Sequence, residues 1–192
     1  MSTNPISERA FPHNAEAERA VLGSILLDNG ALNTASDTIG KGDFFSRSHH
    51  IIFEKMVGMS GRGRTINLVT LSEELSNQGD LERVGGATYL AALTDGVPVG
   101  SPASVTEYAT IVREKAITRR LITASNNVIA RCLESADSSD ALVDLALSQI
   151  FEIAATEKEP SCSYLAAARA TLVRLQRRDV PRILTGIKEI DF

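Results

Sequence analysis

What this sequence lacks narrows its class before any motif is read. It has two cysteines, Cys132 and Cys162. Two thiols cannot build a disulfide framework, so both are expected to be reduced, in a reducing compartment. No apolar run approaches the roughly 18–20 residues of a membrane-spanning helix. The stretch from Met1 to His13 is polar and has no apolar signal core, which argues against secretion. Basic residues do not dominate, since 20 Lys and Arg stand against 24 Asp and Glu for a net charge of −4. That balance excludes a globally basic nucleic-acid binder. The β-branched runs are short and sit inside helical patterns, so no strand is predicted. No repeat is visible at the ~20–50-residue periods of solenoids and propellers.

What is present is a foldable chain. Its 43% hydrophobic and 23% charged residues are ordinary for a globular protein. The length of 192 residues suggests one or two domains, at roughly 100–200 residues each. Charge is unevenly placed. Residues 164–192 hold six basic side chains (Arg169, Arg174, Arg177, Arg178, Arg182, Lys188) and three acidic ones (Asp179, Glu189, Asp191), so the rest of the chain is distinctly acidic.

The periodicity predicts an all-α fold, with a globular helical bundle followed by a long antiparallel helical hairpin and a linker helix. Residues 1–12 read as a flexible N-terminus and 13–95 as the globular subdomain. A first helix runs from about Asn14, a plausible N-cap, to Leu27, with Ala17, Val21, Leu22 and Ile25 inward. Glu16 and Glu18 fall near its positive end. A short helix carries Leu32, Ala35 and Ile39 and ends at Gly40-Lys41-Gly42. Phe44-Phe45 is the largest apolar anchor. Ser48–Met59 and Leu68–Asn77 follow as helices, with His49, Ile52, Phe53 and Met56 on one stripe and Leu68, Leu71 and Leu75 on the other. Gly79 closes the second of these, and Gly85-Gly86 turns the chain into a short helix over Ala87–Leu93. Residues 96–103, rich in Pro and Gly, form a connecting loop.

Residues 104–156 read as the hairpin. Ser104 caps a helix reaching about Glu134, roughly 46 Å at 1.5 Å per residue. It has two apolar rows. One is Val105, Tyr108, Val112, Ala116, Ile122, Ile129 and Leu133; the other is Ile117, Leu121, Ala124, Val128 and Cys132. A helix with two apolar faces requires two partners. Ser139 or Asp140 caps the return helix, which runs through Ala155 with Leu142, Leu145, Ala146, Gln149, Ile150 and Ile153 on one side. Residues 157–192 form a linker. Its helix, 164–178, has an apolar row of Leu165, Ala168, Leu172 and Leu175 and no local partner.

No catalytic constellation appears. His49-His50 has no cysteine or carboxylate at metal-ligand spacing, so one packed and one exposed histidine is the expectation. Gly61-Arg62-Gly63-Arg64 lacks the Gly-Lys-Ser/Thr ending of a phosphate loop and reads as a solvated loop. The carboxylates are scattered and read as solvated helix faces. The cluster Arg169, Arg174, Arg177 and Arg178 suits docking on an acidic partner better than single-strand binding, because no aromatics interleave it.

One resemblance gathers these segments. Phe11-Pro12-His13-Asn14-Ala15-Glu16-Ala17-Glu18 and the following Val21-Leu22-Gly23, with Leu27-Asp28-Asn29, closely resemble the opening of the DnaB family of bacterial replicative DNA helicases. In order there follow Asp43-Phe44-Phe45 with His49 and Ile52-Phe53; then Leu71, Leu75, Gly79, Leu81, Gly85-Gly86 and Tyr89-Leu90. Tyr108-Ala109 with Ile111–Ala116, and Thr185-Gly186 with Asp191, complete the series. Each piece alone is weak; six in order are specific.

The resemblance implies the N-terminal collar of such a helicase, serving ring assembly and primase recruitment at the replication fork in the cytoplasm. It implies self-association as dimer or hexamer, through hairpin residues Tyr108, Val112, Leu121, Ile122, Val128, Leu142 and Leu145. Leu165, Leu172 and Leu175 would dock the linker helix on a neighbouring subunit. Expected partners are self, primase, the neighbouring helicase subunit, a helicase loader and, for the parent ring, single-stranded DNA, with no membrane. Catalytic, cofactor and metal sites are expected to be absent from this chain, with ATP and Mg used by the parent. The family's phosphate loop is expected beyond Phe192, which would make the chain a front portion of a longer protein. The alternative is a non-motor primosome adaptor using the same helical module.

Overall fold

A computed structural model describes residues 10–95, 102–134 and 138–158. They form seven α-helices and two short 3-10 turns, with no strand among the described residues. The all-α expectation holds.

Helix α1 spans Ala15–Leu27 and is capped as its sequence predicts, with the Ala17 N–H donating to Asn14 Oδ1 at 3.0 Å. Val21, Leu22 and Ile25 on its inner stripe are fully buried. Helix α2, Gly30–Ser36, buries Ala31, Leu32 and Ala35, and Ile39 follows them inward just past its end. The stretch read as a simple stop is instead a 3-10 turn, Lys41–Asp43, in which the Gly40 N–H donates to Asp43 Oδ2 at 2.8 Å.

Helix α3, Arg47–Gly61, places His49, Ile52, Phe53, Met56 and Met59 in the core. Helix α4, Leu68–Asn77, opens with a capping box. Asn67 Oδ1 accepts from the Val69 and Thr70 N–H groups, and Thr70 Oγ1 accepts from the Asn67 N–H. Leu71 and Leu75 are fully buried, whereas Leu68 stays at the rim. Gly79 (φ +72°) ends the helix, and the Asp80 N–H returns to the Leu75 carbonyl at 2.8 Å. A second 3-10 turn, Glu82–Val84, leads to Gly85 (φ +100°) and helix α5, Gly86–Ala92. Gly85 is required twice over. Its φ is left-handed, and a Cβ there would lie 2.9 Å from the Tyr89 Cβ.

Helix α6 spans Pro102–Glu134, two residues earlier than Ser104, with proline at its first position, where a missing N–H costs nothing. Val105, Ala109 and Val112 belong to the same core as α1, α3 and α4, so the first half of α6 completes the bundle. Helix α7, Ser139–Lys158, runs back against α6. Its cap is Ser138 rather than Ser139 or Asp140; the Ser138 carbonyl accepts from the Leu142 N–H at 3.1 Å and its hydroxyl from the Ala141 N–H at 3.3 Å.

One expectation about α6 is corrected. Val105, Val112 and Ala116 do share a buried face. Ile122, Ile129 and Leu133 do not continue it. Six residues from 116 to 122 advance about 240° around a 3.6-residue helix. Ile129 and Leu133 are exposed, and the face below Ala116 continues as Arg119, Arg120, Thr123 and Asn127. Phe45 is a second correction. Phe44 is the buried anchor, and Phe45 is 45% exposed.

Candidate functional site

The most constrained polar group in the bundle is a buried joint among three helices. Glu18 of α1 is 2% exposed. One carboxylate oxygen accepts the Phe45 N–H at 2.7 Å; the other accepts the Ser46 N–H at 3.3 Å and lies 2.6 Å from His49 Nδ1. His49 Nε2 lies 2.6 Å from the Tyr89 hydroxyl of α5. A carboxylate only accepts, so Nδ1 carries the hydrogen toward Glu18. The start of α3 has no side-chain cap of its own. Glu18 reaches that end from another helix, taking the N–H groups of Phe45 and Ser46 just before α3, near the positive end of its dipole.

Burial pushes the Glu18 carboxyl upward. The hydrogen bonds from His49, Phe45 and Ser46 outweigh it and hold the group below the usual carboxylate range. Burial raises the Tyr89 hydroxyl, which stays protonated and able to donate.

The joint fixes where Phe45 points. Its ring stacks on His13 at 4.3 Å between centroids, and the Arg119 guanidinium sits 5.6 Å from its centroid. Arg119 also donates to the Pro12 carbonyl at 2.9 Å and to the Asp43 carbonyl, and Arg120 pairs with the Asp43 carboxylate. These contacts lock the N-terminal arm, the first 3-10 turn and the middle of α6 together. Beside them opens a cleft of about 880 Å³ between bundle and hairpin, lined by Phe11, Phe45, Arg119, Arg120, Gln149 and Ile153 among others.

The outward surface of the hairpin is different in kind. On α7, Val143 (57% exposed), Leu147, Ile150 and Phe151 (69%) follow the spacing of one helical stripe, facing away from the less exposed Leu142, Leu145, Ala146, Gln149 and Ile153. Ile150, expected on the inner side, belongs to this outer stripe. Leu121, Ile129 and Leu133 of α6 are exposed as well. Apolar rows of this extent on one element make the outer face of the hairpin a candidate interaction surface.

The candidate association residues divide accordingly. Val112 lies in the core of its own chain, and Tyr108 packs partly against that core. Ile122, Val128, Leu142 and Leu145 are half-buried and Leu121 is exposed, all within the hairpin. Leu165, Leu172 and Leu175, with the arginine cluster from Arg169 to Arg182, lie outside the described residues. Among the described residues no group of His, Cys, Asp or Glu could hold a metal ion, and no helix is long and apolar enough to cross a membrane.

The comparisons with known proteins agree on one family. The model of the DnaB-like helicase N-terminal domain matches residues 10–114. The chain belongs to that family. It is 36% identical to the replicative DNA helicase DnaB of Geobacillus stearothermophilus over 96% of its own length and 42% of that protein's. The crystal structure of the N-terminal domain of DnaB helicase from Mycobacterium tuberculosis superposes with a TM-score of 0.68 at 34% identity, covering 74% of this chain and 99% of that one. A DnaB-like replicative helicase solved for its interactions with primase shares the fold at a TM-score of 0.59 and 21% identity, over 83% of this chain and 35% of that one.

Membership in the DnaB family gives the motif residues a physical meaning. Glu18, Phe44-Phe45, His49 and Tyr89, which lie far apart in sequence, meet in the buried joint. Asn29 pins the loop before α4, donating to the Ile66 carbonyl at 2.8 Å and accepting its N–H at 2.7 Å. Reading the carboxylates as solvated missed Glu18, Asp43 and Glu74, all of which are buried. The signal was present in the spacing. Glu18 falls on the stripe of Val21, Leu22 and Ile25, and Glu74 on that of Leu71 and Leu75. The Gly61–Arg64 loop is likewise committed, with Arg62 and Arg64 clamping Glu74 at 2.8 and 2.7 Å.

Proposed function

We propose that this domain is the assembly collar of a replicative DNA helicase. Two copies meet through their α6–α7 hairpins, and the paired collars join further into a ring. The bundle then presents a surface to primase, while the parent protein unwinds duplex DNA with ATP and Mg. The observation that carries this reading is the outer stripe of α7, with Val143, Leu147, Ile150 and Phe151 exposed in a single chain. A second hairpin laid along it would bury four large side chains, each worth about 1.5–3 kcal/mol when removed fully from water. On α6, Leu121 is exposed and Ile122 and Val128 are half-buried, which leaves them available to the same association.

Residues 159–192 fit the role of a tether, with Leu165, Leu172 and Leu175 as its anchor on the next subunit. A helicase loader and single-stranded DNA are partners of the assembled parent in this reading. The chain contains no Gly-Lys-Ser/Thr phosphate loop, so no nucleotide step is assigned to its residues. Pull-down with the C-terminal region of the cognate primase tests recruitment directly; absence of binding by an associated collar would refute that part. The competing reading is a non-motor primosome adaptor. A parent reading frame that encodes a phosphate loop after Phe192 supports the helicase, and one that stops there supports the adaptor.

A further inference from the structure

Asn29-Gly30 is the only Asn-Gly pair in the sequence. This is the dipeptide in which the backbone nitrogen meets least steric hindrance in attacking the preceding side-chain amide, since glycine has no Cβ. The residue is exposed, so water reaches it. Three features of the fold oppose the reaction. Asn29 is held in the helical region at φ −63° and ψ −23°, whereas closing a five-membered imide requires a large rotation of ψ that brings the Gly30 nitrogen into line with the Asn29 Cβ. The Gly30 N–H, the would-be nucleophile, donates to Asp28 Oδ1 at 2.9 Å. Both ends of the Asn29 amide are engaged by the backbone of Ile66, a residue 1% exposed in the core.

We propose that Asn29-Gly30 is a folding-gated deamidation site, dormant while the Asn29–Ile66 clamp is closed and reactive when that junction opens. In the open chain the Gly30 nitrogen bonds to Asn29 Cγ. The Cγ–Nδ2 bond breaks, and ammonia leaves with the Gly30 amide hydrogen, giving a succinimide. Water then opens the ring. Attack at Cγ leaves aspartate; attack at the main-chain carbonyl leaves isoaspartate, with the chain routed through the side chain. Either product lacks the donor that held the Ile66 carbonyl and sets a carboxylate against it. Isoaspartate also lengthens the α1–α2 connection, and both helices pack on α6. An opening event is thereby recorded covalently, and the modified chain closes less well.

Peptide mass spectrometry of protein aged at mildly alkaline pH tests this, with the folded protein compared to the same protein in urea. In urea, Asn29 should convert ahead of every other asparagine. In the folded protein its conversion should be slower by at least about tenfold, because only the open fraction reacts. Asp28→Ala, which frees the Gly30 N–H without touching Asn29, should raise the folded-state rate. The product mimic Asn29→Asp should shift the urea midpoint to lower concentration. Equal rates in the folded and urea-treated protein, or no preference for Asn29 over Asn33 in urea, would overturn the proposal. So would an unchanged midpoint for Asn29→Asp.

Discussion

Glu18 shows how much one side chain can organise. It fixes the backbone just before α3, orients His49 and, through it, reaches Tyr89. His49→Ala takes one of three donors from the buried Glu18 carboxylate, leaving those of Phe45 and Ser46, so a loss of about 1–3 kcal/mol is expected from urea denaturation. The pH dependence has a definite sign. The Glu18 carboxyl is held below its ordinary value, so its contribution is complete above about pH 4.3, where the unfolded group ionises. It is lost as pH falls through the lower folded value. The urea midpoint should therefore drop on acidification through that window, and Glu18→Gln should flatten the slope. A residual slope will persist from Glu54 and Asp80, whose ion pairs with Lys41 and Lys55 also hold them low. At the start of α4, Asn67→Ala removes a cap that serves two N–H groups, and about 1 kcal/mol is the expected cost by the same measurement.

At the scale of elements, α6 has two lives. Its first half is a wall of the bundle core, and its second half is one arm of the hairpin. The transition falls where alanine and valine give way to Arg119 and Arg120, which tie the helix to the N-terminal arm and the first 3-10 turn rather than to an apolar partner. On α7 the inner and outer rows make separable predictions. Leu147→Asp or Phe151→Asp on the outer stripe should abolish self-association in sedimentation and, at concentrations low enough to keep the unsubstituted chain monomeric, leave the urea midpoint nearly unchanged, within about 0.5 kcal/mol. A charge at Leu142 or Val128 should weaken the hairpin itself as well, because a half-buried site desolvates it. Circular dichroism beside sedimentation separates the two effects. Outer-stripe variants that still associate would place the seam elsewhere.

For the molecule as a whole, the described residues of the hairpin expose an apolar row on α7, Val143, Leu147, Ile150 and Phe151. Association should therefore depend on concentration, with complexes larger than one chain at tens of micromolar. A single monomeric species under those conditions would count strongly against the collar assignment.

Much of this organisation was legible in the residues. Caps, glycines and apolar spacing are local, so they predict helix α4 to its exact bounds and α1, α3 and α5 to within two residues. The core stripes of α1 and α3 follow from the same local spacing. The sequence by itself determined the helical class, the order of elements and the family, since these rest on periodicity and on motifs that survive as strings. Only the tertiary structure decided what the motifs are for. Whether Glu18 meets water or His49, whether Phe45 or Phe44 is the buried ring, and which face of α7 is left bare depend on residues far apart in the chain. The physical reason is that burial belongs to a packed pair of surfaces, and a helix seen alone shows which residues share a face without showing what covers it.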